Sequence, residues 1–220
     1  MKRVGGVSIP MPRGASRFRF VRTECRVRAL TLFMMETPAF LTGRLLLAMP
    51  GMADPRFEHA VILVVAHDED GALGIGVGHE RGDIDVVDLV ESLEISSEGV
   101  PSAPVHHGGP VDLNRGFVIH SRDWGGQDSV DIANLCRMTV TQDVFRAIGE
   151  GGGPSSFLVA LGYAGWSGGQ LEEEMTRHGW FVTDATSSIL FDTPAQLRWA
   201  EAFRLAGVDP ALLSARSGQA

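Results

Sequence analysis

Lysine is almost missing from this chain. Lys2 is the single one in 220 residues, which excludes Schiff-base and lysine-nucleophile chemistry from everything beyond the first few positions. Cysteine is nearly as scarce. Cys25 and Cys136 stand far apart, with no C-x-x-C pair, no zinc spacing and too few thiols for a disulfide framework. That usage is compatible with a reducing cytosol, and Cys136 reads as a small buried hydrophobe rather than a nucleophile. Long apolar runs are lacking as well. The longest clean one, Ala60 to Ala66, falls far short of the roughly 18 residues a membrane-spanning helix needs, so no membrane role is expected. There is no internal repeat.

What is abundant is glycine, 27 residues of 220 against a usual share of about 7%. It clusters at 149–153 and 162–169, where it implies sharp turns and close backbone approach. Charge is distributed unevenly. Residues 1–34 carry eight Lys/Arg and one acid, Glu24, whereas the remainder carries 11 basic and 26 acidic residues, a net of −15. An acidic body repels phosphate at long range, so direct DNA binding by it is not expected. The basic arm 1–34 has no sustained periodicity. A tail without folded structure, translated upstream of a start at Met34 or Met35, is expected ahead of a transit peptide or a secretory signal. Residues 35–220 are then a single domain, of a size that buries a full core.

From Gly43 the pattern is β. Arg44–Ala48 forms a first short strand, and Ala60–Ala66 is an apolar run suited to a strand buried on both faces. The His67–Gly71 turn, with its Asp-Gly pair, predicts a hairpin into a strand over 72–78. Its acids resemble a calcium loop, but the glycine comes too early and no ligand Glu follows in register. A helix is predicted over 85–94, capped by Asp85 and burying Val86, Leu89, Val90 and Leu93. Strands are expected over 105–111, 115–120 and 138–140, then a helix from Gln142 to Ile148 with Thr141 as its cap. The stretch 157–180 reads as a buried strand FLVALGY, a glycine turn AGWSGGQ and a helix LEEEMTRHGW stopping at Gly179. A further strand is expected over 187–191. Thr193-Pro194-Ala195-Gln196 then resembles a capping box with Pro at the first helical position. It opens a helix carrying Leu197, Ala200, Phe203 and Leu205 and ending at Gly207. Helices and strands alternate without a βαβ rhythm, which predicts an α+β domain with a mixed sheet.

Gly165-Trp166-Ser167-Gly168-Gly169 spells G-x-S-x-G, the pattern of a nucleophile elbow, and His107-Gly108-Gly109 upstream resembles an oxyanion-hole stretch. A hydrolase using Ser167 would need an acid and then a histidine downstream, yet His178 is the only histidine beyond Ser167 and precedes Asp184 and Asp192. An upstream base, His120, His106 or His59, is the alternative. A phosphate at the same turn is disfavoured by Glu172, Glu173 and Glu174 in the first turns of the helix and by the absence of a Walker lysine. His106 and His107 are adjacent, so in a strand they face opposite ways and do not share a metal; one is expected exposed and the other satisfied by a local hydrogen bond. Asn114 and Arg115 read as turn residues. No catalytic centre, cofactor or metal is expected. The expected cleft is one where the His107–Pro110 and Gly165–Gln170 turns meet, with His107, Gly108, Gly109 and Pro110 on one side, Trp166 as a wall and Gln170 at the polar edge. The competing expectation is that Trp166 is buried and the glycines only permit packing.

The stretches LTGRLLLAMPGMADPRFEHAVILVVAHDEDGALGIGV, PVHHGGPVDLNRGFVIHS, FLVALGYAGWSGGQLEEE and ILFDTPAQLRWAEAFRLAGVDPALLS together resemble the YqgE/AlgH family of bacterial proteins. The likeness runs from about Leu41 to Ser214. It implies an α+β fold whose mixed sheet curls into a barrel-like core, in a cytoplasmic protein of no established activity; members are often labelled transcriptional regulators. Such members often have Gly-Ala where this chain has Ser167-Gly168, which argues against a catalytic serine. The chain departs from the family pattern at Gly76–Arg81, so the resemblance implies no partner contact for that loop. The resulting expectation is a non-catalytic protein that binds a protein partner or a small ligand in a regulatory role.

Overall fold

The computed structural model describes residues 40–52, 57–177 and 179–213. The basic arm, His178 and the tail from Ser214 lie outside them. The described unit, from Phe40 onward, is a mixed α+β fold with a strongly curled sheet. Strand β1 (Arg44–Ala48) lies between β10 (Trp180–Asp184) and β2 (Val61–Asp68), antiparallel to both. The β2–β3 hairpin (β3, Gly71–Gly76) forms as the Asp-Gly signal predicts: Asp70 N–H donates to Asp68 Oδ1 at 2.9 Å, and Gly71 takes φ 145°. From β3 the sheet continues through β9 (Phe157–Ser167), β6 (Val111–His120), β8 (Cys136–Thr139) and β7 (Val130–Ile132). A side branch pairs β4 (Glu80–Asp85) with β5 (Pro104–His107), and β5 runs parallel to β9.

β9 is the hub. It pairs with β3, β5 and β6, and its side chains reach three separate apolar clusters. Leu158 and Ala160 point into the first, Val159 and Leu161 into the second, Ala164 and Trp166 into the third. Tyr163, however, packs on the first cluster, so the even-numbered residues change face midway. The cause is Gly162, held at φ 80°, beside a register shift in which β6 passes from Val111 to Gly116 while β9 passes from Tyr163 to Leu161. One irregular residue inverts the two-residue alternation of everything beyond it.

Both faces of the sheet are covered, which is why its strands read as continuous apolar runs rather than alternating ones. One face, with Leu45, Leu47, Leu63 and Ile75, packs on a π-helical turn (Ser188–Asp192) and on α4 (Ala195–Leu205) through Ile189, Leu190, Ala202 and Phe203. The other face is split. Helices α1 (Val86–Ser92) and α2 (Asp143–Gly149) cover Val105, Val118 and Val159, while α3 (Gln170–Thr176) covers Ile62, Val64 and the Trp166–Trp180 pair. Helix α1 begins where expected, with Asp85 and Asp88 forming a reciprocal capping box.

Several sequence expectations need correcting, the first being that Asn114 and Arg115, read as turn residues, lie inside β6. The stretch 187–191 is not a strand: Leu190 N–H donates to Thr186 O and Ile189 N–H to Thr186 Oγ1, which winds the chain into the π-helical turn. Ala164–Ser167 is not a turn but the second half of β9, paired with β3; only Gly168 and Gly169 turn. Thr193 does not cap α4, because its hydroxyl donates to Ser188 O and the helix starts after Pro194 with no side-chain cap. Thr141 leaves α2 without a side-chain cap too, its hydroxyl being spent on Asp143.

Candidate functional site

The glycine stretches are tightly placed. A Cβ on Gly108 would lie 2.0 Å from Gly162 O, and one on Gly109 would lie 2.1 Å from Tyr163 C. The His107–Pro110 segment thus meets β9 at 162–164, just ahead of 165–170. His107 and Pro110 are exposed. Trp166 is 8% exposed and sits in the third cluster beside Trp180, both indole N–H groups donating to Glu174 Oε2 at 2.9 and 2.8 Å. Gln170, on the surface, accepts from Ser167 N and Oγ through Oε1 and donates to Glu174 from Nε2. Ser167 Oγ is therefore engaged with an amide, and none of the histidines weighed as its base shares a hydrogen bond with it among the described residues. His120 binds Thr139 Oγ1 and Ser121 O, and the His59 ring packs on Trp199. Burial pushes the Cys136 thiol up to about 12, so it stays protonated and unreactive at neutral pH.

His106 behaves differently from the rest. It is 1% exposed, and its partners are remote in sequence rather than local. Nδ1–H donates to Val159 O at 3.2 Å, and Nε2 accepts from Arg198 Nη1 at 3.0 Å. Burial, with the Arg198 charge adding to it, lowers the imidazole to about 4, so the ring is neutral at physiological pH. Its tautomer is then fixed by the Val159 bond.

Arg198 is the residue the periodicity missed. The sequence places Leu197 and Leu205 on the buried face of α4, but these are 57% and 52% exposed, whereas Arg198 is 4% exposed. Its guanidinium ties together three elements: Nε donates to Ile189 O at 3.1 Å and Thr193 O at 2.9 Å, and Nη1 donates to Val77 O as well as to His106. All of these acceptors are neutral. None of the ion pairs among the described residues involves Arg198, and burial lowers its pKa to about 10, with the Glu80 charge opposing the shift. Of the five guanidinium N–H donors, one is spent at Nε and two at Nη1. The two on Nη2 have no partner among the described residues.

Those spare donors belong to a side chain that lines a cavity of about 310 Å³. Its walls include Phe157, Phe191 and Pro104, and Ala195 brings the uncapped start of α4 to the same space. Two exposed carboxylates, Glu80 and Asp192, line it too. Glu80 is held by a 2.7 Å hydrogen bond from Gln196 Nε2. A second depression, of about 590 Å³, lies between Trp124–Gln127 and α2; neither hollow takes in the His107–Pro110 or Gly165–Gln170 residues. Among the described residues no three His, Cys, Asp or Glu side chains gather as a metal site would need.

The chain is 54% identical over 186 residues to a UPF0301 protein of Novosphingobium aromaticivorans, covering 84% of this chain and all of that one. A relative from Sphingopyxis alaskensis is 53% identical over 187 residues, covering 85% of this chain and all of its own length. Among solved structures, the solution structure of the AlgH protein from Pseudomonas aeruginosa superposes with a TM-score of 0.66 at 36% identity, covering 86% of this chain and 100% of that one. A Corynebacterium diphtheriae protein shares the fold with a TM-score of 0.64 at 24% identity, over 80% of this chain and 92% of its own. The family profile described as AlgH-like matches residues 45–211, nearly the whole described unit, and the chain belongs to that family.

Proposed function

We propose that this protein is a non-catalytic binding protein of the cytoplasm, acting in regulation, and that it takes its ligand or partner group at the Arg198 cavity. One observation carries the reading: Arg198 is a largely buried cation that lines a cavity, its Nη2 reaching solvent without a partner and no carboxylate within ion-pair distance among the described residues. Burying a charge is costly unless something pairs with it, and an external anionic group meets that need without any catalytic step. The 26 acids against 11 bases of residues 35–220 favour a small ligand or a protein partner over DNA.

An amide-detected NMR screen of the full chain against a small-molecule library tests this. Binders should shift the amides of Val159, Thr193 and Ala195 together. Binders that map only elsewhere, or stoichiometric fluorophosphonate labelling that is lost in Ser167→Ala, would overturn it.

A further inference from the structure

The charges around the cavity narrow what it accepts. The two N–H donors of Arg198 Nη2, which diverge from one nitrogen, share the cavity lining with the uncapped first turn of α4, where a helix start favours negative charge. That end suits a single carboxylate. A phosphate dianion fits poorly, because Glu80 and Asp192 line the same cavity and would repel its second charge. The same two acids suit a positive group carried beside that carboxylate. The cavity also has aromatic and aliphatic walls in Phe157, Phe191 and Pro104. The volume, about 310 Å³, stands at the lower end of the roughly 300–1,000 Å³ range for small-molecule sites. Neutral His106 does not compete for the carboxylate, since its Nε2 is occupied by Nη1 and its Nδ1–H by Val159 O; its place is to hold the guanidinium with Nη2 free.

Resting on the binding role proposed above, we infer that the Arg198 cavity is a receptor site for a zwitterionic amino acid with an apolar side chain. The carboxylate docks on Arg198 Nη2 and the start of α4, the ammonium lies toward Glu80 and Asp192, and the side chain packs on Phe157 and Phe191.

The test is a set of NMR titrations of the full chain with L-phenylalanine, L-leucine, 3-phenylpropionate, phenethylamine and inorganic phosphate. L-Phenylalanine or L-leucine should shift Val159, Thr193 and Ala195, with 3-phenylpropionate roughly tenfold weaker and phenethylamine weaker still, as expected from losing one charge-assisted contact. Arg198→Ala tests the anchor but removes bonds to three carbonyls and can unfold the chain. Exposed Glu80→Gln and Asp192→Asn therefore provide the second arm: they should weaken the amino acids and strengthen 3-phenylpropionate, reversing the order. Preference for phosphate, or an unchanged order in these variants, would overturn the zwitterion assignment while leaving a binding cavity. Failure of all five probes here, with library binders still mapping to the cavity, would overturn it in the same way. An empty cavity in both experiments would overturn the binding role itself.

Discussion

Lowering the pH from about 6.5 to about 4 should weaken the fold through His106. Its ordinary value is 6.5 and the buried ring sits at about 4, so between these limits the unfolded chain takes up a proton that the folded one refuses. The stabilisation is whole above 6.5, falls as the pH drops and is gone below the folded value, at a cost on the order of 3 kcal/mol. His106→Gln should flatten urea-measured stability across this window, leaving a residual slope from His120, which burial also lowers. At the other end of β9, Glu174 accepts two indole hydrogen bonds with one oxygen. Glu174→Ala strands both donors, and at about 1–3 kcal/mol for each unsatisfied group the loss should be about 2–6 kcal/mol, seen with a change in tryptophan emission. Trp166→Ala, which empties part of the third cluster, should cost about 3–5 kcal/mol.

At the level of elements, the approach of the β5–β6 turn to β9 depends on missing side chains. Gly108→Ala sets a Cβ against the Gly162 carbonyl oxygen, a backbone atom that cannot swing aside. The expected loss is about 4 kcal/mol or more, whereas Gly82→Ala, with nothing within 4 Å, should leave the melting temperature almost unchanged. Much of the architecture was legible because it is written in local chemistry: the Asp-Gly hairpin, the Asp85 cap, and apolar runs in strands covered on both sides. The site was not. Ile189 and Leu190 read as strand because apolar and β-branched residues favour it, yet the hydroxyl of Thr186 and the guanidinium of Arg198 bond the turn instead. Apolar spacing on α4 likewise favours Leu197 and Leu205. It has no means of knowing that Val77 O, Ile189 O, Thr193 O and His106, brought in from three other parts of the chain, await a cation at position 198.

On the scale of the whole molecule, charge separates residues 1–34 from the rest. The arm has eight Lys/Arg and one acid, so any binding of the full chain to DNA should come from it, without sequence preference and falling steeply with salt. Deleting 1–34 should abolish that binding and leave the thermal midpoint of 35–220 unmoved, as checked by filter binding and calorimetry. A lower midpoint would show that the arm packs on the body. The sharing of β9 among three apolar clusters has a kinetic counterpart. No cluster can open without stripping side chains from the strand that the other two also hold, so the amides of Leu158 to Ala164 should exchange with deuterium only through global unfolding. The outer strand β7, paired among the described residues to β8 alone, should exchange far sooner through local opening. In that sense the curled sheet melts from its rim inward and keeps its middle strand until the last.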